Sequence, residues 1–313
     1  MSVSRQDLTL AHVYRVQGLT LASERPLPFL QRESVVAASE PQITVRWGRV
    51  SESAAPSLFQ RHDVTLRADG TGVVSPPNGL RIGIEAGARL IVEAPDGMGD
   101  AELHTWLFGP ALAILCHQAG RPPLHAAVVE IDGWAVAIAG DSGAGKSTLV
   151  SALLARGHRL VSDDQAMIDP RTLLVEPCFP SMKLWAEPDV EPEPSLRVTP
   201  EHPKYHHRVG MDQYAKGPVP LRLIVALCPK RESTVLRVEA MSKPAAAAAL
   251  AHDYVHRPEL ARALDGGRAA FGWCTAVCDR IPLLVLHRPD NLALVPDQAR
   301  WIEESSAACQ PLG

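Results

Sequence analysis

The sequence lacks the usual substitutes for an ordinary globular core. Its six cysteines, Cys116, Cys178, Cys228, Cys274, Cys278 and Cys309, contain no CxxC pair. That excludes a disulfide-built miniprotein and predicts reduced thiols in a cytoplasmic protein. Cys274 and Cys278 share a helix face, but no second pair stands at metal-ligand spacing. No apolar run reaches the roughly 18 residues of a membrane span. The opening MSVSRQDLTLAHVYRV has no apolar stretch of the secretory kind. A basic excess is missing too: 31 Lys and Arg face 35 Asp and Glu, a formal net charge of -4. No surplus of cations is left to neutralise nucleic-acid phosphates. What is present is ordinary, with 46% hydrophobic and 21% charged residues among 313. A chain of that size buries a core without staples, and at about 150 residues per domain it predicts two domains or one large α/β unit.

Residues 1–102 read as a small β-rich N-terminal domain. The segments HVYRVQGLTLAS, PQITVRWGRV, HDVTLRADGTGVVS and RLIVEAP are rich in Val, Leu, Ile and Thr and broken by turn residues. They contain no catalytic constellation, so a docking or scaffold role is expected. Residues 103–313 read as a second, α/β domain. It opens on a helix in which Leu103, Trp106, Leu107, Ala111, Ile114 and Leu115 recur at helical spacing. The apolar segments LHAAVVEI and WAVAIA follow, separated by Asp132-Gly133. That dipeptide predicts a two-residue hairpin, because both turn positions need positive φ. The register pairs Ile131 with Trp134 and sets His125 opposite Gly140. A helix over about Lys146 to Arg156 leads to a strand, HRLVS, that ends at Asp163-Asp164. The proline-rich, acidic stretch from Glu187 to Pro203 predicts a mobile, solvated loop. Later come a strand in LRLIVALC, helices from about Pro244 and Pro258, a strand in PLLVLHR and a last helix from about Pro296.

The sharpest motif is Gly140-Asp141-Ser142-Gly143-Ala144-Gly145-Lys146-Ser147, which matches GxxxxGK[ST] at every fixed position and is followed by Thr148. Glycines let successive backbone N–H groups curl around phosphate oxygens, and the helix N-terminus adds positive potential. Lys146 would reach the outer phosphates, and Ser147 would place its hydroxyl on Mg²⁺. ATP and Mg²⁺ are therefore the expected ligands, and Lys146 is expected to be open to solvent. A crossover through a helix returns the chain parallel in about 98% of cases with one hand. That sets Asp163-Asp164 at the same sheet edge, where carboxylates can hold a metal or accept a proton. His125, beside the first loop glycine, could orient Asp164 or tune its proton affinity. Lys204 and Arg208 are basic candidates for a phosphate or an acidic peptide, with a solvated basic patch as an equal alternative. His252 and His256 stand four apart on an expected helix, but HDYVH lacks a metalloprotease glutamate and reads as surface histidines.

The run LHAAVVEIDGWAVAIAGDSGAGKSTLVSALLARGHRLVSDD resembles the catalytic domain of HPr kinase/phosphorylase. It is more similar still to HPr-kinase-related proteins that phosphorylate lasso-peptide precursors on serine. The dense resemblance covers about 40 residues, and weaker likeness extends from HVYRVQGLTLASERPLPFL to PLLVLHRPDNLALV. It implies a P-loop kinase core of HPr kinase type, a mixed sheet with flanking helices. His125, Lys146, Ser147, Asp163 and Asp164 would form the active site. Asp164 would be the base supported by His125, and Asp163 would help hold Mg²⁺. HPr kinase/phosphorylase has an acidic residue where this chain has Thr148, and its later glycine-rich signature is not found here. Both departures point to a dedicated kinase. The expected partner is a peptide or small protein bearing serine, foremost a lasso-peptide precursor, without nucleic acid or membrane; a homo-oligomer stays open. The alternatives are a kinase of an HPr-like protein or a small-molecule hydroxyl, and a nucleotide-binding regulatory protein without transfer chemistry.

Overall fold

The computed structural model describes residues 12–30, 41–85, 87–185, 193–199, 202–230 and 235–309. Two eight-stranded sheets and a three-stranded one organise them. The first sheet is built from eight short strands between His12 and Glu93. Its strands alternate as a half-buried sheet should: Leu90 and Val92 are buried, while Arg89, Ile91 and Glu93 are more open. The helix Asp100–Trp106 continues through a π turn at Leu107–Ala111 into Leu112–Gln118. Pro110 sits inside that turn and lacks the donor a regular helix would use there. The sequence draws a domain boundary just before Leu103. In the structure Leu107, Phe108, Leu112 and Ile114 are buried in one cluster with Leu66, Ile82 and Ile84 of the first sheet. That boundary falls inside the helix Asp100–Trp106, and the helical segment after it shares a core with the strands before it.

The second sheet carries the phosphate-loop motif. The strands Ala126–Ile131 and Trp134–Ala139 form the hairpin, with Ile131 opposite Trp134 and Ala126 opposite Ala139. Asp132 and Gly133 both have positive φ, 49° and 81°. Trp134–Ala139 is buried almost throughout because both sheet faces are covered. Ala135, Ala137 and Ala139 face one cluster, and Val136 and Ile138 face another. Leu149, Val150, Leu153 and Leu154 of the helix Lys146–Ala155 pack on the second face, with Val295, Ala299 and Ile302 of the helix Val295–Ala308. Helices Lys243–Ala249 and Arg268–Cys278 cover the first face.

Arg159–Ser162 pairs antiparallel with Ala126–Ile131, which is itself antiparallel to Trp134–Ala139. It therefore runs parallel to the phosphate-loop strand with the hairpin partner between them, and both strands end at one edge. On the other side Trp134–Ala139 pairs in parallel with Val219–Lys230, and that strand with Leu283–Pro289.

The third sheet joins Ser181–Trp185, His202–Arg208 and Arg197–Thr199. The sequence predicts a mobile loop over 187–203. Residues 187–192 and 200–201 lie outside the described residues. Those of 193–199 form a 3-10 turn and a strand rather than an open loop. All six cysteines are free. Among the described residues no helix is long and apolar enough to cross a membrane.

Candidate active site

The phosphate loop depends on three glycines whose φ values, 152°, 85° and 90° at Gly140, Gly143 and Gly145, disfavour other residues. A Cβ on Gly145 would also run into the Arg288 guanidinium. Arg288 is only 5% exposed. It donates to the Ala144 carbonyl at 2.6 Å and to Gln298 Oε1 at 2.9 Å, bracing the loop from beneath.

Ser142, Gly143, Gly145, Lys146, Ser147 and Thr148 line a cavity of about 760 Å³, together with His125, Asp163 and Asp164. Gly140, Asp141 and Ala144 are not among the lining residues; they serve through their carbonyls. Lys146 corrects an expectation, since it is 8% exposed rather than open to solvent. Its ammonium donates to Gly140 O at 2.7 Å and Asp141 O at 3.1 Å, and lies 3.0 Å from His125 Nε2. Burial holds its pKa below the ordinary lysine value against the pull of Asp164 and Asp163.

His125 bridges the two halves of the site. A lysine ammonium can only donate, so Nε2 accepts and the proton of the neutral ring sits on Nδ1. Nδ1 lies 3.2 Å from Asp164 O, 3.4 Å from Asp164 Oδ1 and 3.3 Å from His256 Nδ1. Burial lowers the His125 pKa, opposed by Asp164.

The two aspartates differ sharply. Asp164 has φ 69°, a left-handed conformation that aspartate tolerates. A tight turn holds it: Gln165 N donates to Asp163 O at 2.8 Å, and Ser162 Oγ donates to Gln165 O. Burial would raise the Asp164 pKa, but Lys183, His125 and His256 outweigh it and hold the carboxyl well below the usual range. Lys183 Nζ donates to Asp164 Oδ2 at 3.0 Å. Asp163 is 5% exposed, and its Oδ2 accepts the Lys183 backbone N–H at 2.9 Å. Burial first, and the neighbouring Asp164 charge second, push its pKa up to about 6.

Several side chains at the cavity lie outside the sequence reading. Lys183 reaches the site through the third sheet, and no local motif announces it. His256 is not a surface histidine: the turn closes after Tyr254, and His256 folds back against His125. Its Nε2 is buried without a partner among the described residues. His252 is exposed beside Asp253 and stays apart. No sequence pattern announces the place of His256; in the structure Leu124 bridges to Val255 and thereby sets their neighbours side by side. The two basic candidates also part company. Lys204 lines the phosphate cavity, whereas Arg208 lies over the Phe29 ring and lines a separate pocket of about 220 Å³.

Oxygen donors from Asp163, Asp164 and Ser147 around one cavity suit a hard divalent cation such as Mg²⁺. Among the described residues no group of three His, Cys, Asp or Glu forms a self-sufficient metal cage. Ser147, Asp163 and Asp164 are the residues that would hold such a cation.

Residues 117–174 match a family model described as the HPr Serine kinase C-terminal domain. The HPr kinase/phosphorylase of Limosilactobacillus reuteri (strain DSM 20016) is 46% identical over 64 residues, 20% of this chain and 20% of that protein. That of Streptococcus thermophilus (strain ATCC BAA-491 / LMD-9) is 47% identical over 62 residues, 19% of this chain and 20% of that protein. The match thus spans about a fifth of the length of these curated relatives. The solved HPr(Ser) kinase/phosphatase from Coxiella burnetii aligns at 17% identity and a TM-score of 0.32, over 59% of this chain and 99% of that one. A likeness that loose carries no argument. Over the matched segment the chain is HPr-kinase-like.

Proposed function

We propose that this HPr-kinase-like chain is a phosphotransferase that moves the terminal phosphoryl group of ATP to a serine hydroxyl, with Mg²⁺ as its metal. The observation that carries the reading is one cavity holding a glycine-built phosphate loop, its lysine, a carboxylate pair and an imidazole. A protein that only binds nucleotide needs the first two and not the others.

The loop N–H groups and Lys146 take the phosphates, which draws Lys146 from the carbonyls it now caps. Ser147 and the carboxylates would hold Mg²⁺, which would supply charge neutralisation for the transferring phosphoryl group. The serine oxygen bonds to the terminal phosphorus, the bond to the bridging oxygen breaks, ADP leaves, and the serine proton passes to a carboxylate. Most of the acceleration comes from positioning and electrostatics.

The charges favour exchanging the roles that the resemblance implies for the aspartates. A base works best with a pKa near the working pH. Asp164 has both oxygens engaged, Oδ1 beside His125 and Oδ2 by Lys183, and stays charged, which suits a metal ligand; Asp163 is held through Oδ2 by the Lys183 backbone N–H and is pushed upward, which suits a base. Thr148, in place of an acidic residue, supports a kinase with little reverse, phosphate-releasing activity.

The acceptor we favour is a peptide or small protein bearing serine, with a lasso-peptide precursor foremost and an HPr-like protein as the alternative. Incubation with γ-labelled ATP, Mg²⁺ and each acceptor tests this reading. Label should appear on serine of the precursor peptide. Nucleotide binding without transfer to either acceptor would count against this reading and leave a kinase of a small-molecule hydroxyl or a nucleotide-binding regulator.

A further inference from the structure

Beyond the carboxylates the cavity changes character. Contacts run in a row from the loop: Lys146 Nζ to His125 Nε2 at 3.0 Å, His125 Nδ1 to Asp164 Oδ1 at 3.4 Å, and Asp164 Oδ2 to Lys183 Nζ at 3.0 Å. Lys183 lies on the strand Ser181–Trp185. Trp185, two residues on, shares its face, at a spacing of roughly 6.5–7 Å. Trp185 is 60% exposed although it lines the cavity. Lys204 pairs across from it in the sheet, and its ammonium lies 5.5 Å from the ring centre. No carboxylate pairs with Lys204 among the described residues. Leu184, Val198, Trp106 and Pro77 complete an apolar end.

The strand that carries Lys183 to Asp164 also carries Trp185, so the Trp185 and Lys204 end lies beside the carboxylates that a phosphoryl acceptor must reach. We propose that Trp185 and Lys204 form the acceptor subsite, which takes an apolar side chain two residues from the reacting serine on the indole and a nearby carboxylate on the ammonium. The two-residue offset follows from geometry. An extended peptide repeats its same-face side chains at the spacing that separates Lys183 from Trp185. An apolar group seated on the indole moves the Lys204 ammonium to the rim, where an acidic group meets it.

This inference rests on the kinase reading, so its test uses binding as well as transfer. Acetylated heptapeptides with central serine carry Phe or Asn two residues away on either side, and Glu or Lys next to that position. Their affinity for the full chain is measured with a non-hydrolysable ATP analogue and Mg²⁺. The parent should bind the Phe–Glu peptide about tenfold more tightly than the Asn–Glu peptide, the scale of one apolar side chain in a pocket. Trp185→Ala should remove that preference, and Lys204→Glu should turn the preference for Glu into one for Lys. Equal binding of the Phe and Asn peptides by the parent overturns the subsite. So does a Trp185→Ala variant that loses ATP-analogue affinity while keeping its peptide preference, which would make the indole a base platform. Selective binding without transfer from ATP would count against the kinase reading alone.

Discussion

Lys146 and Lys183 bring positive charge to the same cavity by different physical means. Lys146 belongs to a backbone device. Its ammonium is held by two main-chain carbonyls of its own loop, and the loop's shape comes from glycine φ values and the Arg288 brace. Lys183 belongs to a side-chain device. It is half-buried on the third sheet, where Asp164 and Asp163 outweigh desolvation and keep its pKa above the ordinary lysine value. On the proposed reading the first device gives up its lysine to an incoming phosphate, because the carbonyls it leaves are neutral. The second cannot give up Lys183 without stranding a carboxylate. Mobile charge therefore sits on the loop side and fixed charge on the sheet side, with His125 touching the loop lysine and the partner of the sheet lysine.

The carboxylates test that division most severely. Asp163→Asn should slow single-turnover transfer by about 10²- to 10⁴-fold at saturating Mg²⁺. Asp164→Asn should instead raise the Mg²⁺ concentration required and slow transfer less once Mg²⁺ saturates. The reverse ranking would restore Asp164 as the base. Stability should separate the pair as well. The folded pKa of Asp163 lies above its ordinary value of 3.8, at about 6, so its charged form costs stability once the pH exceeds about 4. Asp163→Asn should raise the melting temperature above pH 6, by at most about 3 kcal/mol of stability, and do nothing below pH 4. Asp164 is depressed, so its contribution is present above the ordinary carboxylate range and is lost as pH falls toward its folded value. Asp164→Asn strands Lys183 and should cost about 1–3 kcal/mol at neutral pH. Melting curves across pH 4–8 read both signs.

The lysines come next. Lys146→Ala should lower transfer by about 10²- to 10³-fold, as loss of a transition-state donor does, with the fold retained. Lys183→Met should act mainly on stability, and the double variant with Asp164→Asn should recover much of what the single variant loses. If Lys183→Met costs as much transfer as Lys146→Ala while melting normally, the sheet lysine is not merely a partner of Asp164.

The same contrast explains how much could be read in advance. A phosphate loop is a local object: spacing of glycines, lysine and serine fixes backbone shape within eight residues, and the hairpin register then places His125. Asp163-Asp164 followed from strand direction alone. Lys183, Trp185 and Arg288 depend on pairings between segments far apart in the chain, which no local pattern encodes. His256 was misread because its spacing from His252 looked helical, whereas the chain turns out of the helix at Val255. The proline count suggested an open loop over 187–203, but pairing with His202–Arg208 recruits 197–199 into a sheet.

A smaller effect is expected from the loop's support. Gly145→Ala forces a Cβ into a left-handed position and against Arg288. Strain of that kind costs about 1–3 kcal/mol. Calorimetric titration should find ATP affinity lowered by about 10- to 100-fold, with the sheet-side Lys183–Asp164 pair untouched and the melting temperature lowered by a few degrees. Arg288→Met should relieve part of the clash in the double variant. Full ATP affinity in Gly145→Ala would mean that the loop yields more readily than its bracing implies.

The smallest expected effect probes the contact between the two devices. His256 stands 3.3 Å from His125, Nδ1 to Nδ1, and burial holds its pKa well below the usual histidine value. Two neutral rings can share one proton at that contact. With His125 carrying its proton on Nδ1, His256 Nδ1 is the acceptor and its own proton sits on Nε2. Asp164 and His256 thus compete for the same N–H. His256→Gln removes the imidazole acceptor while leaving a polar side chain, so transfer should fall by only about 3- to 10-fold. The informative quantity is the coupling. If His256 works by orienting His125, the loss from His256→Gln should nearly vanish in a His125→Ala background, because the ring it orients is gone. Single-turnover rates for the parent, the two single variants and the double variant give that cycle. Full additivity would mean that His256 supports the fold near residue 256 and has no part in aligning the imidazole that joins Lys146 to Asp164.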